Sequence, residues 1–150
     1  MDPFSALIAT IFLPVVSMPL LVWISRYIGH RVGWIALALP IIGIINIFNI
    51  WKKNTSSLPL IVEKEWIPQL NVNLSFLIDG TSLFFGFVVL IMGALVTLYA
   101  TQYLHERKYE NGKFYAYLML FMAAMTGTVF SNNIYLLFIF WELTSIASFL

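Results

Sequence analysis

The sequence predicts an all-α integral membrane protein of about five transmembrane helices with a short extracytoplasmic β-hairpin between the second and third. Three observations carry that prediction. The chain of 150 residues is 61% hydrophobic and 10% charged, and its apolar residues fall in long blocks instead of the spaced stripe of an amphipathic soluble helix. The charges collect in a few short connections. The single long polar connection, residues 52–78, carries the alternation of small strands.

The elements follow in order. Residues 4–24 form the first span; Met1-Asp2-Pro3 lacks the basic start of a cleavable leader and the apolar run continues past Val22, so a permanent span is expected. Pro14 and Pro19 lie inside it, which membrane helices tolerate when neighbours satisfy the freed carbonyls. A polar turn, SRYIGHR (25–31), leads to the second span, 33–51, which contains Pro40, Asn46 and Asn49. The asparagines bridge helices or face a hydrated path, bridging being the commoner role.

The connection 52–78 is too polar to cross a membrane and too long for a simple turn. Leu58, Leu60 and Val62 alternate with other residues, as do Val72, Leu74, Phe76 and Ile78, with Pro68-Gln69 between the runs. A β-hairpin at the membrane surface is expected. Asp79 precedes the third span, 81–104, and is placed to cap it by accepting first-turn amides; the competing reading is ion binding. HERKYENGK (105–113) follows with five formal charges. The fourth span is 114–130, and Ser131-Asn132-Asn133 is so short a turn that the fifth span, 134–150, must run antiparallel beside it.

Arg26, Arg31, Arg107, Lys108 and Lys113 fall in the loops after spans one and three, and Lys52, Lys53 and Lys64 in the loop after span two. This bias puts the N-terminus outside. Gly86, Gly93, Thr97 and Ala100 share a face of span three, and Ala123-xxx-Gly127 in span four has the small-residue spacing of close helix pairs.

Several functions are excluded. A net charge of +1 with no basic stripe leaves no nucleic-acid footprint. With no cysteine there is no disulfide framework or thiolate metal site, and His30 and His105 lack metal-ligand company. No Gly-rich dinucleotide loop or haem histidine within a span occurs, so no cofactor is expected on this chain.

What stands out is Glu142, alone in the otherwise uncharged run IYLLFIFWELTSIASFL. An ionised acid near a bilayer centre costs about 2.5 kcal/mol or more, so such a residue points to ion or proton movement. At about 100° per residue, Thr144, Ser145, Ser148 and Trp141 fall on one side of the helix with Glu142 at their edge. Glu142 is therefore expected to face the bundle. Burial disfavours an ionised carboxyl and a nearby cation favours it, so an acid with a mobile basic partner can load and release a proton. The plainer alternative is an acid that stays neutral and only hydrogen-bonds a neighbouring helix. None of the five spans holds Lys, Arg or His, so a cationic partner must come from elsewhere.

LSFLIDGTSLFFGFVVLIMGALVTLYATQYL (74–104) and SNNIYLLFIFWELTSIASFL (131–150) resemble the N-terminal part of the antiporter-like subunits of Mrp-type Na+/H+ antiporters, membrane-bound hydrogenases and respiratory complex I. The likeness is nearest to the large A subunit of Mrp antiporters and to NADH dehydrogenase subunit 5. It implies a multisubunit complex in a prokaryotic plasma membrane that moves protons, Na+ or both. In it, Glu142 matches the essential glutamate, which works with a lysine on a later helix outside this sequence. The resemblance also implies inverted helical repeats with further spans, so the chain is expected to be one piece of a split subunit or a fragment. A helix over 134–150 extends roughly 25 Å at about 1.5 Å per residue, so a last turn is expected beyond it. The three functional readings are an antiporter subunit, the equivalent subunit of a hydrogenase or quinone oxidoreductase, and a scaffold with a neutral glutamate.

Overall fold

The computed structural model describes residues 2–67, 72–104 and 111–150. Five α-helices and one hairpin appear in the order α1 (Pro3–Ile28), α2 (Val32–Asn54), β1 (Leu60–Ile67), β2 (Val72–Ile78), α3 (Gly80–Tyr103), α4 (Asn111–Phe130) and α5 (Ile134–Phe149). The Pro68-Gln69 turn and the stretch 105–110, with His105, Arg107 and Lys108, lie outside the described residues.

Four helices, α1 to α4, are long and apolar enough to cross a membrane, whereas α5 is an apolar helix of 16 residues. Helices α1, α2 and α4 run past the ends expected from hydropathy. Helix α1 continues to Ile28, so the turn shrinks to the three residues Gly29–Arg31, with Gly29 at a positive φ of 58° that a side chain disfavours. Helices α2 and α4 likewise take in Lys52, Lys53 and Lys113. Hydropathy marks where side chains turn polar, but backbone hydrogen bonds carry the helix on until its ends meet water.

Helix α1 packs on α2 and α4, α2 on α3, and α3 on α4, which closes a four-helix bundle; among the helices, α5 packs chiefly on α4. Small residues set the close approaches. A side chain at Gly86 would meet the Phe130 ring and Ile47, one at Gly93 would meet Met122, and one at Gly127 would meet the Phe140 ring. Gly33 lies against Thr101 and Tyr115, whose hydroxyls are 3.4 Å apart in a buried hydrogen bond. In lipid, association rests on such packing and on interhelical hydrogen bonds. Asn46 is one of the bridges: its amide donates to Thr10 Oγ1 across the α1–α2 seam at 3.3 Å.

The hairpin pairs Leu60 with Ile78 through to Glu65 with Asn73, with an irregularity between Glu65 and Ile67. It buries Ser75, Phe76 and Ile78 against the end of the bundle. The Phe76 ring lies 6.5 Å from that of Phe4. Asp79 then caps α3: its Oδ1 accepts from the Ser82 amide at 2.6 Å and Ser82 Oγ accepts from the Asp79 amide at 2.8 Å.

Candidate ion-translocation site

Helix α5 begins at a built junction. Asn133 caps it, its side-chain oxygen accepting from the Tyr135 amide at 2.8 Å. The turn before it is clasped to β2. The Asn132 amide donates to the Ser75 carbonyl at 3.0 Å, and its side chain donates to Ser75 Oγ at 3.0 Å. Ser75 Oγ in turn donates to Glu63 Oε1 at 2.7 Å. Phe76 forms an isolated bridge with Ser131. The turn SNN signalled only brevity in the sequence; that its two asparagines tie α5 to the hairpin depends on partners some 60 residues away and was not legible there.

From that anchor, α5 turns Leu136, Phe140 and Ala147 inward with Leu143 half-buried beside them. Glu142 follows Phe140 by two residues, about 200° round the helix. It is therefore exposed, along with Ser145, Ser148 and Trp141, while Thr144 is half-buried. The expectation that Glu142 faces the bundle is not met by these helices: period 3.6 puts the α4-facing stripe on the opposite side. Its neighbours on the exposed side include Phe138, Ile139 and Ile146, so a carboxyl stands on an apolar surface.

The hydroxyls expected to hydrate Glu142 are turned to their own backbone. Thr144 Oγ1 donates to the Trp141 carbonyl at 2.6 Å and Ser148 Oγ to the Ser145 carbonyl at 2.9 Å. Such back-bonding satisfies a hydroxyl in an apolar setting. Each hydroxyl oxygen keeps lone pairs with which to accept from a water or a neighbouring group. Among the described residues no hydrogen bond or ion pair reaches Glu142, and no group of three or more His, Asp or Glu side chains is placed to hold a metal. What the arrangement offers is one acid on an exposed, largely apolar helix face, at a level fixed by the clasp.

The family described as NADH-Ubiquinone oxidoreductase (complex I), chain 5 N-terminus, matches residues 66–115. In Staphylococcus aureus, a protein of strain JH9 named as antiporter subunit mnhA2 is 42% identical over 144 residues, covering 92% of this chain and 17% of the relative. The protein of that name in strain Mu3 matches to the same extent. A chain in the structure of the Mrp complex from Dietzia sp. DQ12-45-1b superposes with a TM-score of 0.80 at 31% identity, over 99% of this chain and 15% of that one. The likeness is to the N-terminal part of antiporter-like membrane subunits. This chain thus spans about a sixth of the length of the relatives it matches. This chain is a multi-pass membrane protein, mostly helical, with the small hairpin that the sequence predicts.

Proposed function

We propose that this chain forms part of an antiporter-like subunit of a multisubunit complex that moves protons, Na+ or both across a prokaryotic plasma membrane, with Glu142 as the protonatable group. The observation that carries the reading is a carboxyl on the exposed apolar side of α5. An ionised acid against lipid is costly, so that side is to be covered by a companion segment. A lysine on it would favour the ionised form on approach and release that preference on retreat, which couples a proton's arrival and departure to movement. Thr144, Ser145 and Ser148 border the acid and would line the water that reaches it, with Trp141 shielding its edge.

The N-terminus would lie outside, with the hairpin on the same side, because Arg26, Arg31, Arg107, Lys108 and Lys113 in the two short loops outnumber Lys52, Lys53 and Lys64 in the longer one. In the assembled complex, Glu142→Gln keeps the shape and removes the charge. Na+/H+ exchange in everted vesicles should fall to background at unchanged complex yield. Exchange at the wild-type rate would take Glu142 out of the mechanism and leave the scaffold reading.

A second reading has one observation in its favour, the match to the complex I chain 5 family. There the same segment would serve a redox-driven pump in a hydrogenase or quinone oxidoreductase, carrying ions while other subunits carry electrons. Purifying the complex separates the two: flavin or nickel-iron proteins that co-purify favour the redox-driven pump, and their absence favours the antiporter.

A further inference from the structure

Polar walls are out of place beside hydrocarbon, yet α1 and α2 part at the hairpin end of the bundle to leave a cleft that has them. It measures about 320 Å3 and is walled by Pro3 and Ala6 on α1 and by Asn46, Asn49, Ile50, Lys53 and Asn54 on α2. Positions 46, 49 and 53 fall on one helix face. Seven residues separate Lys53 from Asn46, about 10 Å at about 1.5 Å per residue, so the polar wall runs from the helix end well into the apolar layer. Ile42, one turn below Asn46, is exposed and apolar.

The polar side chains in the cleft are three amides and one ammonium. Asn46 spends one N–H on Thr10 and Asn54 donates to the Ile50 carbonyl at 2.9 Å. Asn49 and Lys53 are exposed and enter none of the side-chain hydrogen bonds among the described residues. No Asp or Glu is in the lining. Amide donors and an ammonium without a carboxylate suit an anionic oxygen ligand. An amide left unsatisfied in hydrocarbon is expensive, so Asn49 requires a polar occupant, and the volume is at the small end of ligand cavities.

We propose that this cleft binds the headgroup of an anionic phospholipid, its phosphodiester held by Lys53 and Asn49 and its acyl chains descending along Ile42. The proposal does not depend on the role of Glu142. It commits to lipid because the cleft opens at the interface and continues into an apolar helix surface, whereas a free anion would gain nothing from Ile42.

The test uses the intact complex in nanodiscs containing a phosphatidylglycerol analogue with a photoreactive diazirine in its headgroup, read by peptide mapping after illumination. Label is expected on the peptide spanning Asn46–Asn54, displaced by unlabelled phosphatidylglycerol and not by inorganic phosphate. Lys53→Ala should lower it about fivefold, the loss of one lysine's attraction to anionic lipid, and Asn49→Leu should lower it further, while Lys52→Ala, outside the cleft, leaves it unchanged. All three positions are exposed, and complex yield by size exclusion verifies assembly. Displacement by phosphate as effective as that by lipid would assign the cleft to the free ion and overturn the proposal. So would label that ignores Lys53→Ala, or its absence together with cross-linking of Asn49→Cys to another subunit, which would make the cleft a protein interface.

Discussion

Helices α4 and α5 are joined by a three-residue turn and differ in almost everything else. Of the four spanning helices α4 is the least apolar, yet 56% of its membrane window is buried, against 28–33% for the other three. Helix α5 turns only Leu136, Phe140 and Ala147 fully inward, leaving aromatic and aliphatic side chains exposed on its other sides. In water this order would be perverse. In lipid, apolar surface is no reason to be inside, and what draws a helix to the centre is a surface of small residues and hydroxyls that permits close contact. Helix α4 has Gly112, Ala116, Ala123, Ala124, Thr126 and Gly127 for that purpose. Helix α5 keeps its polar groups on the side that this chain leaves open.

The contrast breaks most readily where the two helices touch. Gly127→Leu would drive a side chain into the Phe140 ring, an overpacking that costs about 1–3 kcal/mol. Loss of cross-linking between cysteines placed on α4 and α5 would register it, whereas intact cross-linking would mean that α5 does not depend on that contact. Asn133→Ala removes the α5 cap and its tie to Asn73; a loss of about 1 kcal/mol is expected, seen as faster proteolysis at the 131–133 turn. Tyr115→Phe, within α4, deletes a 3.4 Å hydrogen bond to Thr101 and should lower thermal stability by only about 0.6 kcal/mol, the average for such bonds between membrane helices. Smallest in stability is Glu142→Gln. As an exposed residue bonded to nothing described, it should shift stability by less than about 0.5 kcal/mol while transport fails. A large stability loss there would show that Glu142 already has a structural partner, and α5 would then resemble α4 after all.

Much of the fold was legible because membrane spans and hairpins are written in local pattern. The run from Gly80 to Tyr103, the alternation of Leu74, Phe76 and Ile78, and the Asp79 cap all follow from residues within a few positions of one another. The site was legible only in part. Glu142 is conspicuous as a lone acid in an apolar run, but which way it points depends on where the α4-facing stripe falls, and Leu136, Phe140 and Ala147 do not stand out among equally apolar neighbours. The clasp of Asn132 on Ser75 and Glu63 could not be read at all, since nothing local distinguishes a turn asparagine that meets water from one that meets a strand.

Sequence by itself determined the number and order of the helices, the hairpin and the isolation of one acid among apolar residues, because hydropathy, chain length and capping act within a turn or two of the backbone. Tertiary structure alone decided that α4 lies inside and α5 outside, that the hairpin grips the α4–α5 turn, and that Glu142 faces away from its own bundle. Those outcomes come from the fit of particular surfaces, Gly127 under Phe140 and Gly86 under Phe130, and fit is a property of pairs of segments that no single stretch of chain contains.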